Sequence, residues 1–100
     1  MTAPMIAAAI MRTEKDIVAA FRAANATAPD RAISVHPSAP LEVVAWRKLV
    51  ARAIVRPAAP DRFYLHEESW DRFLKLRRKM LLLALSAVLL FTLGVLLRQR

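Results

Sequence analysis

The chain has 100 residues, no cysteine, 16 basic and 8 acidic side chains, and a formal charge of +8. A chain this short holds one small domain and has no room for a large core with a deep substrate cleft. The lack of cysteine excludes a disulfide framework, thiol catalysis and Cys-based zinc sites.

The 57% apolar content includes 19 alanines, and 13 of the other 38 apolar residues fall within Met80–Leu97. Residues 1–79 carry 14 bases and all 8 acids, a balance of +6. Such a surface suits an anionic membrane face or nucleic acid. Beside a membrane segment, lipid is the stronger expectation.

Met5–Met11 is apolar, but no positive charge precedes it and Arg12 follows it. That order is the reverse of a signal peptide. Residues 1–12 are therefore expected to be a disordered tail, with Met11 an alternative start. Thr13-Glu14-Lys15-Asp16 has the form of a capping box. Ile17, Ala20, Phe21 and Ala24 then recur at helical spacing, and Asn25 ends the helix. A second helix is predicted from Thr27-Ala28-Pro29-Asp30 to His36, where Pro37 stops it. Ala32, Ile33 and Val35 would form its short apolar face.

Ser38-Ala39-Pro40 starts a third helix running to about Ala53. Trp46, Leu49, Val50 and Ala53 share one side of it, with Arg47, Lys48 and Arg52 broadly opposite. Leu41 and Val44 fall nearer the basic side. Ile54-Val55-Arg56 suits a short strand, Pro57–Asp61 a turn, and Phe63-Tyr64-Leu65 a second strand. Ser69 is positioned to cap a fourth helix through Lys79, with favourable acid-then-base pairs Glu68–Arg72 and Asp71–Lys75. No Gly or Pro separates this helix from Met80.

Met80–Leu97 is an uncharged run of 18 residues with nine Leu, two Val and one Phe. As a helix it is ~27 Å long against a bilayer core of ~30 Å. Its 12 strongest residues favour insertion by at most roughly 4–7 kcal/mol. A buried helix of a soluble domain is the competing account, but the rest of the chain is too small to wrap a helix apolar all round. Arg72, Lys75, Arg77, Arg78 and Lys79 precede the run, whereas only Arg98 and Arg100 follow it. Positive flanks stay in the cytoplasm, so the N-terminal part is expected there and the tail 98–100 outside. Those five cations set topology and are candidates for lipid headgroup contact. Abundant Ala and Arg fit a GC-rich bacterial genome, in which case the membrane is the inner one.

Two resemblances follow from these elements. The end-placed span resembles tail-anchored proteins in layout. The order helix, helix, helix, hairpin over residues 13–66, carried by the third helix and Arg62-Phe63-Tyr64-Leu65, resembles a winged-helix module. That likeness implies Arg47, Lys48 and Arg52 meeting DNA from the helix, and Arg56 and Arg62 from the wing. Many winged-helix modules bind proteins instead. Ala53 stands where a helix-ending glycine is usual. No Asn or Gln on the third helix is placed to read adenine, and a solvated face is the simpler account of these cations.

Other chemistry is thinly represented. Trp46, Phe63, Tyr64, Trp70 and Phe73 are expected to form the core with Phe21 and Leu49. His36, His66, Glu67 and Glu68 lack zinc-site spacing. Ser34, Ser38 and Ser69 sit where caps and turns explain them, and nothing singles out a carboxylate pair from Asp30, Asp61, Glu67 and Glu68. The only glycine, Gly94, lies in the apolar run, so no Gly-rich phosphate loop exists. Ala84, Ser86, Ala87 and Gly94 give only a weak helix-dimerisation signal.

The resulting expectation is a mainly α protein in five parts: the tail 1–12, a small winged-helix-like cytoplasmic domain at 13–68, a basic juxtamembrane helix at 69–79, a transmembrane helix at 80–97 and the tail 98–100. Its role would be that of a non-enzymatic adaptor or accessory subunit, with an unidentified protein partner and membrane lipid. No cofactor, metal or small-molecule substrate is expected. The alternative is a membrane-tethered nucleic-acid binder.

Overall fold

The computed structural model describes residues 2–99. Met1, the alternative start to Met11, and Arg100 of the expected tail lie outside the described residues. Among the described residues the chain is mainly helical, with three α-helices, one 3-10 turn and a two-stranded antiparallel sheet. It divides into two units, Met1–Ser69 and Trp70–Arg100, each described by itself.

Helix α1 spans Ala3–Ala23. This corrects the expected tail 1–12, which is helical from Ala3. Pro4 lies in the first turn, where its missing N–H is no loss, and the alanines after it have the best helix propensity. Thr2 stands at the N-cap but makes no side-chain capping hydrogen bond, and no acid lies in the first turn, so the capping-box pattern points to Thr13 instead. That residue lies inside α1, where its Oγ1 donates to the Ala9 carbonyl at 2.9 Å.

Helix α2 spans Pro40–Ala51, with Ala39 at the N-cap. The helix predicted between α1 and α2 is reduced to a 3-10 turn at Pro29–Arg31. Beyond it Ile33 exchanges two 2.8 Å hydrogen bonds with Phe63. Pairing with a strand distant in sequence has won over local helix formation in a segment closed by Pro37.

Both α1 and α2 end the same way. Asn25 and Ala53 each have φ of 57°. After α1, Ala26 N–H donates to Phe21 O and Asn25 N–H to Arg22 O. After α2, Ile54 N–H donates to Leu49 O and Ala53 N–H to Val50 O. These are Schellman motifs, and each places an apolar residue just past the helix over one in its last turn. Ala26, Phe21, Ile54 and Leu49 are accordingly all buried. The carbonyls of Ala26 and Ile54 then accept the N–H groups of Leu65 and His66, tying both helix ends to one strand exit.

Strand β1 (Val55–Ala59) pairs with β2 (Arg62–Leu65), with an irregularity between Pro57 and Ala59. β1 therefore runs through residues assigned by composition to the turn. Pro57 is tolerated because its partner Phe63 turns both backbone polar groups to Ile33, so no ladder bond is lost.

Helix α3 spans Glu67–Arg98, starting two residues before the expected cap Ser69. His66 serves instead, its Nδ1 accepting the Ser69 N–H at 3.3 Å. Glu67 and Glu68 lie in the first turn, where the helix dipole favours anions.

The core of the first unit is Val18, Phe21, Ala26, Ala45, Leu49, Ile54, Val55 and Leu65. Trp46 links it to the sheet, stacked on Phe21 at 6.1 Å and edge-on to Phe63 at 5.0 Å. Trp70 and Phe73 form a separate tilted pair at 5.9 Å.

Candidate functional site

The apolar segment of α3 stands out first. Every residue from Met80 to Leu97 is exposed, and Phe91 reaches 75%. Among the described residues α3 is the one helix long and apolar enough, by length and composition, to cross a membrane, and none of its apolar stretch is buried. Its two hydroxyls are satisfied within the helix. Ser86 Oγ donates to Leu82 O at 2.9 Å and Thr92 Oγ1 to Val88 O at 2.8 Å. An unpaired hydroxyl costs roughly 4–8 kcal/mol in a medium that cannot hydrogen-bond, and this pairing leaves neither hydroxyl without a partner. Gly94 leaves open space around the position a Cβ would take.

The basic flank is less uniform than its composition. Arg72, Lys75, Arg78 and Lys79 are exposed. At 3.6 residues per turn they lie within an arc of roughly 120°. Arg77 lies outside that arc, half-buried, with its guanidinium over the Phe73 ring at 4.3 Å.

The five cations expected at a nucleic-acid surface also divide. Arg47 and Lys48 are exposed on α2, and no internal ion pair involves them among the described residues. Arg52 Nη1 lies 3.2 Å from Glu14 Oε1. Arg56 donates to Ala53 O at 2.9 Å and to Ser69 Oγ at 3.2 Å. Arg62 reaches Ala32 O at 3.5 Å. The outward side of α2 also carries Leu41 and Val44, each 38% exposed.

Glu14, only 1% exposed, is the residue that reading the sequence missed. Its buried carboxylate joins α1 to Arg52 at the end of α2. The one available signal was an acid on the same side of the α1 repeat as Val18 and Phe21. The remaining polar side chains serve local structure. Ser34 Oγ donates to Asp61 O at 2.9 Å, and His36 Nε2 lies 3.6 Å from Asp61 Oδ2. His66 Nδ1 is 2.7 Å from Ser69 Oγ, and Glu67 pairs with Arg22 at 2.7 Å. The Ser38 N–H donates to Glu42 Oε2 at 3.4 Å at the start of α2. No group of three or more metal-ligating side chains occurs among the described residues.

No known protein family, no curated protein and no solved structure matches this chain.

Proposed function

We propose that the chain is a single-pass membrane protein. Its α3 helix crosses the bilayer over Met80–Leu97, and its small N-terminal domain works in the cytoplasm as the protein-interaction module of a non-enzymatic adaptor or accessory subunit. The observation that carries this reading is the fully exposed apolar stretch of α3 with both hydroxyls internally paired. Water penalises such a surface at roughly 25 cal/mol per Å², and lipid removes the penalty. Arg72, Lys75, Arg77, Arg78 and Lys79 support the cytoplasmic side for residues 1–79. The outward side of α2 supports the interaction role, because Leu41 and Val44 stand there beside Arg47 and Lys48.

Membrane fractionation of the full chain tests the first part. The chain is expected in the membrane pellet after alkaline washing, with the N-terminal domain cleaved by protease only once the cells are opened. Recovery in the soluble fraction refutes the span, and digestion by protease outside intact cells refutes the orientation.

A second reading keeps Arg47 and Lys48 as its support. The α2 helix and the hairpin would serve as a winged-helix-like nucleic-acid surface held at the membrane. Among the described residues only these two of the five candidate cations lack an internal partner, so the adaptor reading is preferred.

A further inference from the structure

Resting on the membrane reading above, we propose that the first turns of α3 form a one-sided binding face for anionic phospholipid headgroups, made by Arg72, Lys75, Arg78 and Lys79 and not by Arg77. All four residues are exposed and none has an ion-pair partner among the described residues. They share one arc of the helix, whereas Arg77 is half-buried and held over Phe73.

Their heights rank them. With a rise of ~1.5 Å per residue, Lys79 and Arg78 stand ~1.5 and ~3 Å along the axis from Met80, Lys75 ~7.5 Å and Arg72 ~12 Å. The headgroup layer is ~5–7 Å deep on each side of the hydrocarbon. Lys79 and Arg78 therefore lie within it, and Lys75 reaches down into it by snorkelling. Arg72 acts from above, close to Asp71, which shares the arc. Arginine forks onto phosphate oxygens and lysine contributes a mobile point charge, so the set suits a phosphate diester bearing net negative charge.

Continuity with the span identifies the occupant. Lys79 directly precedes Met80, so any leaflet that holds the apolar stretch places headgroups against these side chains. An acidic protein segment would first have to displace them.

The test uses the full chain in phosphatidylcholine vesicles, with trace spin-labelled phosphatidylglycerol or phosphatidylcholine. Electron paramagnetic resonance then reads the motionally restricted lipid. Phosphatidylglycerol is expected to be preferred roughly threefold to tenfold at low salt, approaching parity near ~1 M salt, where the Debye length is ~3 Å. R72Q/K75Q/R78Q/K79Q abolishes the preference. Among single variants on the arc K79Q and R78Q lower it most and R72Q least, and R77Q, off the arc, lowers it less than any of these. Equal restriction of both lipids by the unaltered chain overturns the proposal, and so does an R77Q loss equal to that of R78Q. Indifference to phosphatidylglycerol together with salt-sensitive binding of soluble polyglutamate assigns the face to an acidic protein and also overturns it. If the quadruple variant fails to insert, the single variants decide. Failure of the unaltered chain to float with the vesicles is a separate result, and it refutes the membrane span itself.

Discussion

Removing Arg52 is expected to damage the fold, because its partner is a carboxylate almost wholly out of water. Glu14 is 1% exposed and lies 3.2 Å from Arg52 Nη1, whose side chain is 35% exposed. Breaking a buried ion pair by deleting one partner costs about 3–5 kcal/mol, since the other charge stays buried. Water reaches Arg52, and Glu14 has a further interaction, so ~2–3 kcal/mol is the better expectation for Arg52→Ala. At ~0.05–0.15 kcal/mol per residue the unit Met1–Ser69 has only ~3–10 kcal/mol in total. The variant should therefore lose roughly 8–24 °C of Tm.

Thermal unfolding of the full chain in mild detergent reads this through near-UV circular dichroism, since Trp46 packs against both Phe21 and Phe63. Arg52→Lys keeps a cation within reach of Glu14 and should lose clearly less than Arg52→Ala. An Arg52→Ala shift below about 4 °C, under ~1 kcal/mol, refutes the reasoning, as does an Arg52→Lys variant no more stable than Arg52→Ala. Any DNA-binding loss on mutating Arg52 would likewise reflect a damaged fold and not a lost phosphate contact.

Three further outcomes are expected. Ala53 occupies a left-handed conformation at φ 57°, so Ala53→Gly should stabilise by ~0.5–1 kcal/mol and raise the melting point by ~2–8 °C; an unchanged or lower value contradicts the strain. Leu85→Arg with Leu89→Arg puts two charges near the centre of the span at ~3–4 kcal/mol each. That offsets the whole estimated drive for insertion and should move the chain out of the alkali-washed pellet. For nucleic acid, the full chain in nanodiscs is titrated with duplex DNA at low and moderate salt. The adaptor reading expects no salt-sensitive binding, whereas binding that falls with salt and is lost on Arg47→Ala with Lys48→Ala favours the second reading.

The legible parts of the fold are those set by local rules. The run of leucines, the hairpin residues Val55 and Phe63-Tyr64-Leu65, and the proline start at Pro40 all lie where sequence patterning puts them. Two of the departures show separate causes. At Ala3 the helix follows Thr2 with no side-chain capping bond and no acid in its first turn, so the Thr-x-x-acid pattern that a capping box requires first occurs at Thr13. At Ile33 the outcome depends on Phe63, thirty residues away, whose backbone groups face Ile33 on the side away from Pro57. A local propensity argument has no access to that partner.

The candidate surfaces follow the same division. Composition locates the cations, but only tertiary partners decide which of them remain available. Arg52, Arg56 and Arg62 read from the sequence as equals of Arg47 and Lys48, yet Glu14, Ser69 and two backbone carbonyls engage them. Arg77 reads as the equal of Lys75 and Arg78 until the helix turns it onto Phe73. Of the candidate cations, those still available lie on α2 beside Leu41 and Val44, and on the arc of α3 that leads into the apolar stretch. A surface reading phosphate alone has no use for exposed leucine and valine between its cations, because the hydration cost of those side chains is recovered only against another apolar surface. That is why we propose a protein partner for α2 and, if α3 spans a bilayer, headgroups for its arc.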